Sequence, residues 1–215
     1  MSDLAYRIDD PRPIAAEAPY TYFLPSAEEL AALAPGDTVK LVFRAVEPGD
    51  KWDAERMWVT IDTVEGDRLR GRLENQPEDI RGLKIDDIVH FARHEVIAVI
   101  WSPDREDLPP RPPAEREYWQ RCLVDRCVIE DGVPVHYLYR DEPEATSEDD
   151  YPDSGWCIRG DFRGLSNEEI DARDVEFVAL GLVLNHDDSW LHLIDEPIGS
   201  AFIRDWENGG FVPAE

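Results

Sequence analysis

Histidines beside carboxylates are the side chains of this chain whose types and spacing come nearest to a metal site. His90 and His94 are four residues apart, and Glu95 follows directly. On a helix this spacing places both imidazoles on one face, where they can bind a metal ion. The surrounding residues instead favour a strand, a turn and a second strand, and their order is not that of a metalloprotease. We therefore predict no metal site here.

A second group of this kind comprises His186, Asp187, Asp188 and His192. Its two aspartates are better explained as capping groups of a following helix. Ser154 lies in Asp-Ser-Gly-Trp, which is not the turn of a hydrolase nucleophile. Because the chain has 48 acidic residues, no carboxylate pair stands out as a general acid and base. We predict a protein without metal, cofactor or enzymatic activity; an acid-base hydrolase is the weakest alternative.

The net charge of the chain restricts the kinds of molecule that it can bind. The chain has 215 residues and a formal net charge of -26. Phosphates of nucleic acids and anionic membranes would repel it, whereas a basic protein would be attracted. The alternative is that the acidity only confers solubility. The acidic N-terminus lacks an apolar signal core, and no apolar run is long enough to span a membrane, so we predict a cytoplasmic protein.

The strands of the first half are predicted by alternation of apolar and polar residues. Residues 57–61 and 69–73 each alternate, which is typical of strands with one apolar face. Gly66 lies between them and permits the positive φ of a tight hairpin. Strands are also predicted at 39–46, 88–91 and 96–101, the last buried on both faces. Ser26 and Glu29 form a capping box that predicts one short helix.

These residues resemble a bacterial domain-of-unknown-function family, number 2314. The resemblance rests on a Met-Trp-Val strand containing Trp58, a hairpin centred on Gly66, an Asn-x-Pro loop and a Gly-Leu-Lys turn. The turn has Asp86 where the family usually has glycine, and aspartate tolerates the left-handed conformation better than most residues. The resemblance implies a curved antiparallel sheet. It implies no activity.

Prolines at 109, 110, 112 and 113 predict an extended spacer between two domains, 1–107 and 108–215. Residues 1–23 are proline-rich and are predicted to form an irregular arm over the first domain. In the second half, Asp131 and Gly132 predict a hairpin between strands at 123–129 and 133–139. Ser166 and Glu169 form a second capping box that predicts a short helix, and residues 175–184 are apolar and β-rich. The predicted fold class is α+β: a curved antiparallel sheet with one short helix, then a mixed sheet with two short helices.

Between residues 141 and 153 the chain has seven acidic residues and no basic one. Such a run is usually a solvated loop, but it can also attract a basic partner. The candidate partner-binding residues are Glu148, Asp149, Asp150, Tyr151 and Asp153.

The residues after this run resemble domain-of-unknown-function family 2185, which is related to the immunity protein 33 group. The pattern is a Ser-Gly-Trp strand ending in Gly-Asp, followed by a distal Pro-x-Gly-x-x-Phe-x-Arg. The matching positions are Trp156, Gly160, Asp161, Pro197, Gly199, Phe202 and Arg204. Each also has a structural interpretation: the aromatic residues fill a core, the glycines allow turns, and Arg204 pairs with Asp161.

The resemblance implies an inhibitor that protects a bacterium from a toxin. We therefore predict a non-enzymatic, acidic binding protein that occludes the basic active site of a toxin domain. The alternative is a housekeeping or regulatory protein-binding module with no toxin partner.

Overall fold

The computed structural model describes residues 5–47, 49–109, 116–144 and 151–214. The chain divides into two compact units. The first consists of Met1–Glu17 and Tyr22–Ala114, and the second of Ala18–Thr21 and Glu115–Glu215. Each unit has its own apolar core. The domain boundary between residues 107 and 108 stays a prediction. Residues 110–115, which include three of the four spacer prolines, lie outside the described residues.

The first unit is built on an antiparallel sheet of six strands in the described residues. The strands follow the order β1-β2-β3-β4-β5, and β6 pairs with β2 beside β1. Their bounds are β1 Tyr6–Ile8, β2 Thr38–Ala45, β3 Ala54–Glu65, β4 Arg68–Leu73, β5 Ile88–Ala92 and β6 Ala98–Ile100. Two short helices, α1 Arg12–Glu17 and α2 Ala27–Ala32, and a 3-10 turn at Arg93–Glu95 complete the unit.

The predicted hairpin of the first unit is confirmed. Strands β3 and β4 pair antiparallel, and the apolar residues of their alternating pattern are buried. Gly66 has φ 62° in the connecting turn, and Asp86 takes the left-handed conformation with φ 67°. The capping box is also confirmed, because the Ser26 side chain accepts from the backbone N–H of Glu29.

Two expectations for the first unit are wrong. Strand β6 is not buried on both faces, because Ala98 and Val99 are half-buried and Ile100 is 54% exposed. The N-terminal arm is not irregular, since β1 and α1 form within it. The reason for β1 is its pairing with β2, where the ring of Tyr6 packs 5.2 Å from that of Phe43. Residues 18–21 belong to the second unit, where Tyr20 N–H donates to Asn185 at 2.9 Å.

The second unit is a mixed sheet of six strands in the described residues, in the order β10-β7-β9-β8-β11-β12. Strands β7 and β9 are parallel, and the other pairs are antiparallel. The strands are β7 Arg121–Asp125, β8 Val135–Arg140, β9 Asp153–Gly160, β10 Val175–Ala179, β11 Ala201–Arg204 and β12 Phe211–Pro213. The helices are α3 Arg126–Glu130, α4 Asn167–Asp171 and α5 Leu180–His186, with a 3-10 turn at Leu191–Leu193. The α+β class is confirmed, and each unit has one α-helix more than predicted within the described residues.

The predicted hairpin of the second half is wrong. Strand β9 lies between β7 and β8, so these two strands do not pair. The chain leaves β7 at Asp125 and forms α3, and Gly132, with φ 65°, turns it back towards β8. The run 175–184 is likewise only half strand, because α5 begins at Leu180. By contrast, the capping box at Ser166 begins α4 as predicted.

In the part of the second unit that the structure describes, helices cover only one face of the sheet. Side chains of alternating residues, among them Cys122, Val124, Leu138 and Ile158, lie in the core together with residues of α3 and α5. The residues between them point to the other face, as the period of two of a strand requires. Leu123 and Phe177 on that face are 41% and 39% exposed.

Candidate binding surface of the second unit

A row of side chains crosses the uncovered face of the second sheet. Phe177 on β10 lies opposite Leu123 on β7, Leu123 opposite Cys157 on β9, and Cys157 opposite Tyr139 on β8. These four residues are called the outer row. Strand pairing alone brings them together, since they come from four segments spread over more than fifty residues of the chain.

At one end of the outer row lies a cavity of about 340 Å³. Leu123, Phe177, Cys157 and Trp156 contribute to its walls. Gly155 permits the close approach of the chain that forms one side. Its φ is 78°, and a Cβ atom there would lie 2.1 Å from the backbone oxygen of Asp141. Any larger residue at position 155 would therefore displace the lining segment.

The mouth of the cavity is acidic. Asp141, Glu142, Glu144 and Asp153 contribute to its lining, and the first three are exposed. The Asp153 carboxylate accepts the backbone N–H groups of Glu144 and Gly155, both at 2.9 Å. Asp153 thus links the two described ends of residues 141–153, here called the acidic segment, and adds negative charge to the mouth. The predicted residues Glu148, Asp149 and Asp150 lie outside the described residues.

Tyr151 is the first described residue after positions 145–150, and its side chain is 41% exposed. Its ring is 6.0 Å from that of Trp119, and the Arg121 guanidinium lies 5.7 Å from its centroid. A second arginine near the cavity is turned inward: Arg140 donates to the carbonyl oxygens of Ser154 and Glu196 at 3.0 and 2.6 Å. These bonds hold the Arg140 charge against the backbone.

The polar groups of the outer row are not activated for catalysis. Burial raises the pKa of the Cys157 thiol above its ordinary value. Burial and a hydrogen bond to Cys157 raise the pKa of Tyr139 to about 12. Both groups are therefore protonated near neutral pH, so neither supplies the anion that a nucleophile requires. The largely apolar walls of the cavity and its acidic mouth favour binding over bond-making chemistry.

The two histidine clusters do not assemble ligand sets. Within the described ranges, no group of three or more histidine, cysteine or acidic side chains is placed to hold a metal ion. Asp187 instead accepts from the Val135 N–H at 2.8 Å, from Ser189 and from Arg204. It therefore ties three segments of the second unit together.

The family-motif residues have mainly structural contacts. Trp156 and Phe202 lie in the core, and Gly199 has φ 88° in the turn that follows Pro197. The expected pair of Arg204 with Asp161 is wrong, because Arg204 binds Asp187. Asp161 accepts from Arg163, whose hydrogen bonds lower the pKa of that carboxyl to about 2.

Two further motif glycines were expected to allow turns. Gly66 lies in a turn, whereas Gly160 does not. Gly160 serves packing, not a turn: a Cβ atom would lie 3.1 Å from side-chain atoms of Cys127, Val128 and Val133. Trp58 is half-buried, and the Lys40 ammonium lies 4.4 Å from its ring.

A buried histidine joins the C-terminal segment to β8. His136 is 4% exposed, and its Nδ1 accepts the indole N–H of Trp206 at 2.7 Å. Phe162 packs edge-on against the imidazole at 4.4 Å, and Asp161 lies 3.8 Å from Nδ1. Burial lowers the pKa of His136; nearby Asp161 opposes this shift, while the positive charges of Arg163 and Arg204 add to it.

We expect the second unit to lose stability as the pH falls below about 6.5, the ordinary histidine pKa. Because the folded pKa is lower, the unfolded chain binds the proton first, so the free energy of unfolding falls with pH until the folded pKa is passed. Urea unfolding at pH 7.5, 6.5 and 5.5 measures this loss. His136→Gln keeps an acceptor for Trp206 but does not titrate, so its loss over this range should be smaller. An equal loss in both proteins would contradict the assignment.

The class of protein that these features define is a two-unit α+β protein with an acidic, partly apolar candidate binding surface. Residues 122–215 match the family model described as Immunity protein Imm33 domain, and residues 15–103 match that of Uncharacterized protein conserved in bacteria (DUF2314). The resemblance of the two halves to these families is therefore confirmed. No curated protein and no solved structure matches the chain. In the part of the chain that is described, no helix is long and apolar enough to cross a membrane.

Proposed function

We propose that this protein is a non-enzymatic, cytoplasmic immunity-type inhibitor that binds a basic toxin domain and occludes its active site. The observation that carries the proposal is the match of residues 122–215 to an immunity protein domain. Those residues include the outer row and all four acidic residues that line the cavity mouth. An immunity protein needs a surface complementary to its toxin, and opposite charges favour rapid encounter.

The alternative is a housekeeping or regulatory binding module with no toxin. The first unit matches a family described as an uncharacterized protein conserved in bacteria, and this description is compatible with either function. A growth assay separates the two. The full chain is expressed with each toxin encoded beside its gene, and an immunity protein should restore growth against one of them. Protection against none, together with no complex on size-exclusion chromatography, would leave the module as the function.

We expect the acidic segment to set the rate of association with the toxin. Changing Glu148, Asp149 and Asp150 to glutamine or asparagine should lower the association rate severalfold at low salt and much less at high salt, because salt screens exposed charges. Stopped-flow mixing across salt concentrations measures the rate. The dissociation rate should change little, since the affinity is expected to depend on a few buried anchoring residues.

A matched control removes the same charge from the first unit. Glu65, Asp67 and Glu74 are exposed there, and their neutralisation to amides gives the same change in net charge. This control should leave the association rate close to that of the wild type. An equal drop in both variants would show that only the net charge matters, and the acidic segment would then have no specific role.

A further inference from the structure

We propose that the outer row and its cavity form the anchoring site for a lysine or arginine side chain of a basic partner protein. This inference rests on the proposed function and specifies how the partner is held. It assigns the affinity to the uncovered sheet face, whereas the acidic segment sets the rate of encounter.

The first observation is that the uncovered face of the second sheet is mainly apolar. Phe177 and Leu123 are joined there by Val175 and Val212, which are 53% and 43% exposed. Tyr137 and Ile203 lie opposite each other between them and are half-buried. A cation on this face, Arg159 opposite Tyr137, is paired with Asp125 at 2.8 Å. Contiguous exposed apolar surface on a folded protein commonly marks a site of interaction.

The second observation is the charge at the cavity. Asp141, Glu142 and Glu144 form no ion pair with any residue that the structure describes. The Arg140 cation is held by the carbonyl oxygens of Ser154 and Glu196, so the acidic side chains outnumber it at the mouth. An anionic group would be repelled at this mouth, and a neutral one would leave the carboxylates without a counter-charge. Lysine and arginine combine an aliphatic stem with a cationic head, so they match both the walls and the mouth.

The volume of the cavity agrees with this occupant. At about 340 Å³ it lies at the lower end of the range of ligand pockets, roughly 300 to 1,000 Å³. One long side chain with some water fills such a space. A large cofactor would not be enclosed by it.

The charge also argues against a second copy of this chain on the same face. A symmetric dimer places the same patch of both subunits together. The acidic mouths of two such patches would approach each other, and each chain has a net charge of -26. Like charges at an interface oppose association. A basic partner removes this repulsion.

The probes for the test are Nα-acetyl-arginine amide and Nα-acetyl-lysine amide, with the neutral norleucine and anionic glutamate derivatives as controls. Isotope-labelled full-length protein is titrated with each and followed by nuclear magnetic resonance. We expect the cationic probes to shift the signals of Leu123, Cys157 and Phe177, and to bind about tenfold or more tightly than the neutral one. The anionic probe should cause no shift. Equal binding of the neutral and cationic probes, or shifts confined to other residues, would overturn the proposal.

The variant Leu123→Thr/Phe177→Thr removes the apolar walls. Both side chains are exposed and threonine suits a strand, so the melting temperature should stay close to that of the wild type. The affinity for the arginine probe should fall about tenfold or more. Ile100→Thr is the matched control, because Ile100 is 54% exposed on strand β6 of the first unit, and this variant should bind like the wild type. A double variant with unchanged affinity would overturn the proposal.

Two further readouts separate this inference from the proposed function. If the double variant still protects cells against the toxin as well as the wild type does, the anchoring site is wrong while the immunity function stands. If no toxin is neutralised but the arginine probe binds the outer row, the function is wrong and the site stands. Sedimentation equilibrium showing a dimer that the double variant abolishes would instead assign the face to self-association.

Discussion

Replacing Trp156 with alanine is expected to lower the free energy of unfolding of the second unit by about 3–5 kcal/mol. Trp156 is 1% exposed, and its ring lies 6.0 Å from that of Trp190 in the core. Its indole N–H donates to the carbonyl oxygen of Ile194 at 3.1 Å. The substitution would therefore leave a large cavity and also an unsatisfied buried acceptor.

Urea unfolding followed by circular dichroism measures this loss without relying on tryptophan fluorescence. Trp52→Ala is the control: Trp52 is 48% exposed in the first unit, so the change should be within about 0.5 kcal/mol. If Trp156→Ala unfolds like the wild type, Trp156 is not a core residue. Lost toxin binding with unchanged stability would place Trp156 in the interface.

Replacing Asp125 with alanine is expected to cost the second unit about 3–5 kcal/mol of stability. The Asp125 carboxylate is fully buried, and two arginines face it. Arg173 Nη1 donates to Oδ2 at 2.9 Å, and the Gly160 N–H donates to the same oxygen at 3.0 Å. Arg159 Nε lies 2.8 Å from Oδ1 without the alignment of a hydrogen bond, so that contact is an ion pair.

The large expected effect follows from what the substitution leaves behind. Without Asp125, the Arg159 and Arg173 side chains, which are 25% and 16% exposed, would keep their charges partly buried and uncompensated. Thermal and urea unfolding measure the loss.

The control is Asp174→Ala, because Asp174 is 76% exposed and lies 3.6 Å from Arg126. Exposed pairs of this kind contribute about 0–1 kcal/mol. A cost at Asp125 no larger than that at Asp174 would show that the buried cluster does not stabilise the fold. Restoring stability by adding Arg173→Met to Asp125→Ala would support the charge argument.

The sequence by itself determined the elements whose signals are local. The β3–β4 hairpin follows from two alternating runs and Gly66, because the turn fixes the register of its neighbours. Both capping boxes predicted where α2 and α4 begin, since the serine and the glutamate satisfy backbone groups only three residues away. The left-handed conformation of Asp86 is equally local. The strand at β9 was instead expected from the family resemblance.

Only the tertiary structure decided which strands are neighbours in the second unit. The Asp-Gly pair at 131–132 carries a strong hairpin signal, yet β9 pairs with both strands that flank it. Such long-range pairing depends on which apolar faces can be buried together, and no short stretch of sequence encodes it.

The candidate site shows the same division. The acidic segment was visible in the sequence as an uninterrupted run of charge. Leu123 and Phe177 lie within apolar runs that predict strands, so the sequence did not single them out. No local signal distinguishes a buried strand face from an uncovered one. Helices α3 and α5 lie on one side of the sheet, and this arrangement leaves Leu123 and Phe177 of the outer row exposed. The exposed face and its cavity are consequences of packing, because burial belongs to the whole unit and not to any one strand.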